Sequence, residues 1–456
     1  MKKTNQSSFV LPGKPSCAMT SAYSKRFMIA YRPDPSRLGS SGGTRRAGSL
    51  REEPSTSRVN ERRRFASIEL FSGCGGLALG TANAGFLHSD VVDWNLDAFR
   101  TLRLNKDLGN AHVRHWNLVH ADIATYDFKK ATETARFVFG GPPCQPFSLG
   151  GKHLGDKDAR NMFPHAVRAI RVVQPEAFMF ENVKGLTRKS FFNYFQYILN
   201  QLRYPEVLAK LDENWTDHSA RLQKIHMAGK GEKGLFYRVM PYLVNAADYG
   251  VPQRRERVII VGIRADLKRE FSAPTPTHSR LSLDYSKFVT GEYWEQHRIS
   301  ARHRPHVDAG AHEYIALLKA KGPDLFLKPW QTVRDALIGL PAPRPLEEHP
   351  DIRNHFLNPG ARSYPGHTGS PWDEPAKALK AGDHGVPGGE NMLRDNRGKV
   401  RYFTVRECAR LQTFPDEWIF EGSWTEAMRQ LGNAVPVKLA EVFAARLAAS
   451  LGRFSD

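Results

Sequence analysis

The chain has 456 residues and carries 66 Lys and Arg against 47 Asp and Glu, so its formal net charge is +19. A positive excess of this size favours an anionic partner, with a nucleic acid ahead of a membrane surface. Four widely spaced cysteines argue against a zinc site or a disulfide framework and favour a reducing, intracellular compartment, and no apolar run approaches the roughly 20 residues of a membrane span.

The first 65 residues predict a basic extension without a regular fold. Residues 1–65 are rich in Ser, Pro, Gly and Arg, and they contain 14 Lys or Arg but only four Asp or Glu. This composition is typical of a mostly disordered segment. It could add non-specific affinity for a nucleic acid, or it could have no role. No apolar stretch follows Lys2 and Lys3, so we expect no signal peptide.

Ordered elements begin at residue 66, where short apolar strands alternate with helices. Helices are predicted from residue 77 and over residues 95–105. This alternation is typical of βαβ units and predicts an α/β fold with a mainly parallel sheet. The predicted strands cover residues 67–71, 90–94, 136–140, 177–182 and 257–263.

The composition and the periodicity of the sequence change after residue 265. Pro, His and Arg become frequent, and regular periods fade until "TVRECARLQTF" at 404–414. We therefore predict a second, loop-rich domain over residues 266–426. The chain then contains "AVPVKLAEVFAARLAASL", an amphipathic helix, so residues 427–456 are expected to return to the first domain at 66–265.

A glycine-rich turn, "LFSGCGG", follows the first predicted strand. Gly73, Gly75 and Gly76 open a helix, where exposed backbone N–H groups favour an anionic or carboxylate-bearing ligand. Asp93 ends the next strand 20 residues after Gly73, a position that suits a carboxylate accepting both ribose hydroxyls of a nucleoside. Trp94 offers a flat face for stacking, or simply packs in the core. The turn lacks the Gly-Lys-Ser/Thr of a P-loop, and alone it is a weak sign of a nucleotide site.

A lone cysteine stands between prolines in "GGPPCQPFS", directly after a predicted strand. Pro142, Pro143 and Pro146 restrict the backbone and so hold Cys144 in few conformations. A cysteine that only fills the core needs no such support. The pattern therefore favours a nucleophile over a small core residue.

Two further strands end in acidic residues. Asp122 in "HADI" suits the amino group of a purine. Glu181 in "FENV" ends an apolar strand. Burial of a carboxylate there is costly, so we expect Glu181 to have a functional role or a partner. Glu181 could act on a substrate by donating a hydrogen bond or a proton, and it could equally cap a helix.

The arginines of "QRRERV" precede another predicted strand. In an extended segment Arg255 and Arg257 point to one face, and Arg254 and Glu256 point to the other. Two guanidinium groups on one face suit a phosphate or a base carbonyl. A solvated charge run is the alternative, although this one leads directly into an apolar strand.

Six stretches resemble, in order, the DNA (cytosine-5)-methyltransferase family of the bacterial restriction-modification type. They are "FSGCGG", "GGPPCQPFS", "ENV", "QRRER", "RECARLQTFP" and "GNAVP", and the match covers about residues 66–264 and 404–445. The resemblance implies a doubly wound sheet that binds S-adenosylmethionine, a smaller target-recognition domain, and DNA between the two. Residues 66–265 and 427–456 would then form the catalytic domain, and residues 266–426 the recognition domain.

The resemblance also implies a cofactor site, and no metal. Phe71 and Trp94 would pack on the two faces of the adenine, and Asp93 would hold the ribose. Asp122 and Ile123 would read the adenine edge, the three glycines would line the methionine end, and "GNAVP" would close the site. The implied cofactor-binding residues are Phe71, Gly73, Gly75, Gly76, Leu77, Asp93, Trp94, Asp122, Ile123, Gly141, Pro143, Asn433 and Val435.

The catalytic residues implied by the resemblance act on a cytosine that is flipped out of the duplex. Addition of the Cys144 thiolate to C6 would make C5 nucleophilic enough to attack the methyl donor. Glu181 would act at N3 and the exocyclic amine. Arg257 would contact O2, and Arg255 would contact the adjacent phosphate. Cys74, beside the cofactor glycines, is expected to be a packed thiol without a catalytic part.

The expected partner is double-stranded DNA, and a paired restriction endonuclease follows by analogy. We expect a monomeric, cytoplasmic, prokaryotic enzyme with no membrane partner. Two alternatives stay open, an RNA-directed relative that methylates tRNA and a regulatory subunit that only binds DNA. The long segment between "QRRER" and "RECAR" favours duplex DNA, and the presence of Cys144, Glu181 and Arg257 favours an enzyme.

Overall fold

The computed structural model describes residues 65–143, 161–229, 234–304, 309–324, 326–365, 367–381 and 391–452. Cys144 and, apart from Phe65, the predicted extension lie outside this part of the chain. The strands, in chain order, are β1 (Ala66–Leu70), β2 (Leu87–Asp93), β3 (Asn117–His120), β4 (Phe137–Gly140), β5 (Ala177–Val183), β6 (Tyr237–Asn245), β7 (Gln253–Arg254), β8 (Glu256–Arg264), β9 (His278–Ser279), β10 (Lys328–Pro329), β11 (Ser370–Pro371), β12 (Ala376–Lys377), β13 (Met392–Arg394) and β14 (Val400–Tyr402).

Seven of these strands form one sheet, in the order β3-β2-β1-β4-β5-β8-β6. β1 to β5 pair in parallel, whereas β8 runs antiparallel to both β5 and β6. β1 lies between β2 and β4, so the chain winds outward from β1 in both directions. This topology confirms the predicted doubly wound α/β sheet. β6 is not among the strands predicted from the sequence.

Helices join the strands and cover the sheet. None of them, within the described ranges, is long and apolar enough to cross a membrane. In chain order they are α1 (Gly76–Asn83), α2 (Leu96–Asp107), α3 (Lys129–Thr132), α4 (Phe163–Val173), α5 (Phe192–Arg203), α6 (Trp215–Met227), α7 (Arg280–Tyr285), α8 (Glu292–Gln296), α9 (Ala309–Lys321), α10 (Val333–Ala336), α11 (Val405–Leu411), α12 (Trp424–Asn433) and α13 (Val437–Ser450).

The central strands are apolar on both faces because helices pack on both sides of the sheet. On one face, Ile68 and Phe178 share a buried cluster with side chains of α4 and α5. On the other face, Phe137 and Phe139 share a cluster with side chains of α13. The predicted amphipathic helix is α13, and it lies against α1. A Cβ on Gly80 of α1 would come within 2.4 Å of the Cβ of Ala440.

A further buried cluster joins the first helices to residues that are distant in the chain. It contains Cys74 and Leu102 together with Cys408, Phe414 and Trp418. The predicted domain boundary at residue 426 stays a prediction. The cluster nevertheless shows that α11 and the turn after it pack on the helices that follow β1 and β2.

Among the described residues of 278–374, a small apolar core stands beside many charged side chains. Leu283, Tyr293 and Trp294 form the apolar cluster. Lys287 is buried, and its Nζ lies 3.0 Å from Oε1 of Glu374. Linked ion pairs extend from this contact and form what we call the charged network, which consists of Arg280, Asp284, Lys287, Arg334, Asp373 and Glu374.

Candidate active site

The residues predicted from the sequence gather at one edge of the main sheet. β1 ends directly before Phe71, β2 ends at Asp93, and Asp122 lies two residues beyond β3. β4 ends directly before Gly141, and Glu181 lies in β5. Because β1 to β5 are parallel, their carboxyl ends meet at this edge. The winding direction reverses at β1, and open α/β sheets bind their ligands at such a point.

The turn after β1 borders an open space. Phe71, Gly73 and Gly75 have positive φ angles of 56°, 52° and 92°, so the chain turns sharply before α1. A Cβ on Gly73 would meet no atom of the described residues within 4 Å. A Cβ on Gly75 would lie 2.9 Å from Cδ2 of Leu102. Packing therefore requires Gly75, whereas Gly73 leaves room for a ligand.

The segment "GNAVP" reaches the same turn from the other end of the chain. A Cβ on Gly76 would lie 2.3 Å from the carbonyl oxygen of Val435, so the two backbones are in contact. Val435 and Leu77 are buried, and Asn433 is exposed. The contact with Val435 thus leaves no space for a side chain at position 76, which explains the glycine.

Asp93 fixes the glycine turn through its carboxylate. Oδ2 accepts a hydrogen bond from the backbone N–H of Gly73 at 2.7 Å, and Oδ1 accepts one from Asn95 at 2.7 Å. Burial raises the pKa of Asp93, and these N–H donors oppose the shift. A carboxylate offers about four acceptor sites, so Asp93 can still accept from a further donor. Trp94, the next residue, is 64% exposed.

The two residues predicted beyond β3 differ in their surroundings. Asp122 is exposed, and its Oδ1 accepts a hydrogen bond from the N–H of Ala124 at 2.8 Å. Ile123 is buried among the apolar side chains under the sheet. Its carbonyl oxygen accepts a hydrogen bond from the guanidinium group of Arg168. Asp122 can therefore still accept a bond from an amino group, while Ile123 contributes mainly apolar surface.

Glu181 forms an ion pair at the carboxyl end of β5. Its Oε1 lies 2.7 Å from Nε of Arg257 on the neighbouring β8, and Glu181 is only 7% exposed. The strand register pairs Val183 with Arg257, which brings the two side chains to the same edge. Burial lowers the pKa of Arg257, and the nearby Glu181 opposes this shift. Arg257 thus supplies the partner that a buried glutamate requires.

The loop that leads to Cys144 starts beside this ion pair. Cys144 itself lies outside the described residues, which stop at the half-buried Pro143 on this side. A Cβ on Gly141 would lie 3.8 Å from Oε2 of Glu181. The backbone before the cysteine therefore runs directly past the glutamate.

The side chain of Arg255 is enclosed within the protein. It stands between β7 and β8, and it is 1% exposed. Its Nη1 donates to the carbonyl oxygen of Leu379 at 2.9 Å. Its Nη2 donates to the carbonyl oxygens of Gly432 at 2.7 Å and Ala434 at 2.9 Å. The prediction that Arg255 contacts a DNA phosphate is therefore wrong, because the guanidinium group is enclosed and bound to carbonyl groups of the protein.

Most of the chain matches one protein family. Residues 65–204 and 217–449 match the C-5 cytosine-specific DNA methylase family. The chain belongs to this family. It is 30% identical over 386 residues to the Type II methyltransferase M.PspPI of Psychrobacter sp. (strain TA137), covering 84% of the chain and 78% of the relative. It is 29% identical over 387 residues to the Type II methyltransferase M.Eco47II of Escherichia coli, covering 82% of the chain and 76% of that relative.

A solved structure has the same fold. The crystal structure of a DNA modification methyltransferase encoded within a prophage of E. coli aligns with a TM-score of 0.51 and 21% sequence identity. The alignment covers 85% of this chain and 99% of the other. This likeness confirms the predicted fold class, and the family match and the two relatives confirm the predicted family and the DNA (cytosine-5)-methyltransferase activity.

Enzymes of this family use S-adenosylmethionine as the methyl donor. The site has features that fit its parts, namely the open space beside Gly73, the spare acceptor sites of Asp93 and the exposed indole of Trp94. No group of three or more His, Cys, Asp and Glu in the described part of the methyltransferase could hold a metal ion.

Amide side chains that are not among the predicted site residues also support the site. Asn182 donates from Nδ2 to the carbonyl oxygen of Pro142 at 2.9 Å, which fixes the loop beside Glu181. Gln412 donates from Nε2 to the carbonyl oxygen of Leu431 at 2.6 Å. Both amides stand inside the motifs "ENV" and "RECARLQTFP". The motifs therefore mark them as candidates, but only the fold reveals which carbonyl groups they hold.

Proposed function

We propose that the methyltransferase modifies C5 of one cytosine within a specific double-stranded sequence, with Cys144 as the nucleophile. The observation that carries this proposal is the buried ion pair of Glu181 and Arg257, beside the loop that leads to Cys144. Such a pair offers a fixed acceptor and a fixed donor to a planar base without adding net charge. A cytosine brought to this edge would meet both groups and the thiol.

The reaction needs a nucleophile because C5 of cytosine is too weak to attack a methyl group unaided. The Cys144 thiolate would form a bond to C6, and the electrons of the C5–C6 double bond would move to C5 for its attack. S-adenosylmethionine, when bound, supplies the electrophilic methyl group. A base would then take the proton from C5. The electron pair of the broken C5–H bond would restore the C5–C6 double bond, and the C6–S bond would break to release the thiolate.

The ion pair would hold the pyrimidine ring during this addition. Oε1 of Glu181 faces Arg257, whereas Oε2 lies towards Gly141. Because Gly141 has no side chain, there is space beside Oε2 for a base. Glu181 would accept a hydrogen bond from the exocyclic amine and, when it carries a proton, donate one to N3, and Arg257 would donate to O2. Hydrogen bonds at N3 and O2 stabilise the negative charge that the ring gains when the thiolate adds.

Residues at the other strand ends would hold the cofactor. Asp93 would accept the ribose hydroxyls, and Phe71 and Trp94 would hold the adenine. The space beside Gly73 would take the methionine end. Asn433, next to the segment in contact with the glycine turn, would close the site.

Recognition of the DNA sequence would come from residues 266–426, with the target base flipped out of the duplex. The two relatives are named Type II methyltransferases. We therefore infer that the enzyme acts as a monomer on DNA in a bacterial cytoplasm and protects that DNA from a paired restriction endonuclease.

Trapping with 5-fluorocytosine tests the nucleophile. Sequencing of 5-methylcytosine in DNA from cells that express the enzyme first identifies the target. A duplex with 5-fluorocytosine at that position should then form a detergent-stable covalent complex, because fluorine cannot leave as a proton does. The wild-type enzyme with S-adenosylmethionine should be trapped, and the Cys144→Ala variant should not.

Two other cysteines provide matched controls for the trapping experiment. Cys74 and Cys408 are buried, and burial raises the pKa of Cys74 to about 12. The Cys74→Ala and Cys408→Ala variants should therefore be trapped like the wild type. A covalent complex formed by the Cys144→Ala variant would overturn the proposal.

A further inference from the structure

The side chain of Arg255 joins segments that lie far apart in the sequence. Its guanidinium group bonds to Leu379 on one side and to Gly432 and Ala434 on the other. Its own backbone lies two residues before Arg257, at the start of the strand that carries the ion pair. One buried side chain thus connects the catalytic strand with the segment "GNAVP".

An arginine suits this position because its planar fork presents five N–H donors in fixed directions. Burial lowers the pKa of Arg255, so keeping a charge here is costly. The cost is offset by the hydrogen bonds that the guanidinium group donates to the carbonyl oxygens of Leu379, Gly432 and Ala434. A lysine carries a single ammonium group, which cannot reach all three carbonyl groups in the same geometry.

The bonds of Arg255 reach the backbone around the proposed cofactor residues. Ala434 stands between Asn433 and Val435, and the carbonyl oxygen of Val435 lies against Gly76. Gln412 adds a second, longer bond from its Nε2 to the carbonyl oxygen of Ala434 at 3.3 Å. The turn at 432–435 is therefore held from one side by buried donors and meets the glycine turn on the other.

We propose that Arg255 is a positioning residue that holds the turn at 432–435 closed over the cofactor and in register with Arg257. The inference rests on the proposed cofactor site. Without the guanidinium group, the turn that carries Asn433 and Val435 would no longer be fixed. The enzyme would then bind S-adenosylmethionine more weakly. Thiolate addition depends on Cys144 and on the ion pair of Glu181 and Arg257, which does not include Arg255, so this step would be retained.

The Arg255→Lys variant tests this role through two separate readouts. Calorimetry should show a Kd for S-adenosylmethionine that is raised by about tenfold, and KM for the cofactor should rise in parallel. At saturating cofactor, kcat should stay within about threefold of the wild type, because the loss is one of binding. Exchange of the C5 hydrogen of the target cytosine, measured without cofactor, reports thiolate addition alone and should change by less than about threefold.

Arg406 offers a matched control for the cost of altering a buried arginine. It is fully buried, and it donates to the carbonyl oxygens of Arg353, Pro415 and Trp418. None of these bonds reaches the turn at 432–435. The Arg406→Lys variant should therefore lose thermal stability as Arg255→Lys does, with its Kd for S-adenosylmethionine unchanged within about twofold.

The outcomes separate this inference from the proposed function. A wild-type enzyme that binds no S-adenosylmethionine would contradict the cofactor site itself. An unaltered Kd in Arg255→Lys, or an equal rise in Arg406→Lys, would overturn only the role of Arg255. If Arg255→Lys does not fold, Gln412→Met removes the other donor to Ala434, and its Kd should rise several-fold. An unchanged Kd in that variant would also overturn the inference.

Discussion

The main sheet and residues 278–374 hold their shape by different means. The sheet buries large apolar clusters on both faces, and Val138, Phe178 and Ile260 expose no surface at all. Residues 278–374 have a small apolar cluster of their own and add Val333 and Leu337 to the cluster around Trp418, and their helices and turns are tied together by the charged network. The stability of the sheet is thus spread over many weak contacts, whereas that of residues 278–374 depends on a few polar ones.

This difference predicts how each region responds to a single change. A lost methylene group in an apolar cluster costs its own contacts and a small cavity. A lost member of a buried charged network leaves its partner without compensation, which costs more. Residues 278–374 belong to the proposed recognition domain, where side chains must be held in fixed directions to read bases. A network that permits few arrangements suits that task.

The largest effect is expected from Asp373→Ala in the charged network. Asp373 accepts hydrogen bonds from Nε of Arg334 at 2.6 Å and from the hydroxyl of Tyr293 at 3.0 Å. Its removal leaves the half-buried guanidinium group of Arg334 without its carboxylate partner, and the buried hydroxyl of Tyr293 keeps only its contact with Oγ1 of Thr332 among the described residues. The free energy of unfolding measured in urea should fall by about 3 kcal/mol. DNA methylation should fall by at least about tenfold, while the Kd for S-adenosylmethionine stays within about twofold.

An exposed ion pair on the helix after β2 is the control for that variant. Nε of Arg103 lies 3.2 Å from Oδ2 of Asp107, whose side chain is 61% exposed. Asp107→Ala should change the free energy of unfolding by no more than about 0.5 kcal/mol. Equal losses in Asp107→Ala and Asp373→Ala would show that the charged network is no more than a set of surface pairs.

A pH-dependent effect is expected in the sheet, at His88 of β2. Its Nδ1 lies 3.0 Å from Oγ of Ser67, and its Nε2 lies 3.0 Å from Oγ1 of Thr81. Burial lowers the pKa of His88 to about 4, below the unfolded value of about 6.5. As the pH falls below about 6.5, the unfolded chain binds the proton first, so this site reduces stability by about 2 kcal/mol at pH 5.

A comparison with His88→Gln isolates this contribution. Glu69, on the strand next to His88, is also buried, and burial raises its pKa well above the usual range, so it titrates in the opposite sense. Both proteins contain Glu69, and its effect cancels in the difference between them. Between pH 7 and pH 5 the wild type should lose about 2 kcal/mol more than the variant in urea unfolding. Parallel pH profiles would contradict the assignment.

The apolar part of the fold could be predicted from the sequence, because strands buried on both faces leave uninterrupted apolar runs. β4 and β5 are of this kind. The ends of β2 and β5 could be predicted as well, since Asp93 and Glu181 close apolar runs, whereas β3, which precedes Asp122, is short and partly exposed. β6 is half exposed along its length, and its mixed pattern gives no comparable signal.

The polar contacts could not be predicted, because each depends on a partner that is distant in the chain. An unbroken strand would place Arg255 and Arg257 on one face. The chain passes from one strand to the next at Arg255, which turns this side chain inward to carbonyl groups near residue 433. Nothing in the sequence around Lys287 indicates that this residue is buried. Its partner, Glu374, lies 87 residues away in the chain.

The smallest effect is expected from Ile260→Val, deep in the sheet. Ile260 lies on β8, opposite Phe180 and Pro241, and exposes no surface. Removal of one methylene group should lower the free energy of unfolding by about 1 kcal/mol, with an unchanged denaturant slope, because the surrounding cluster keeps its other contacts. Methylation of DNA should be unaffected. A loss of about 3 kcal/mol, equal to that of Asp373→Ala, would show that the sheet depends on single contacts as strongly as the charged network does, and the contrast between the two regions would then be wrong.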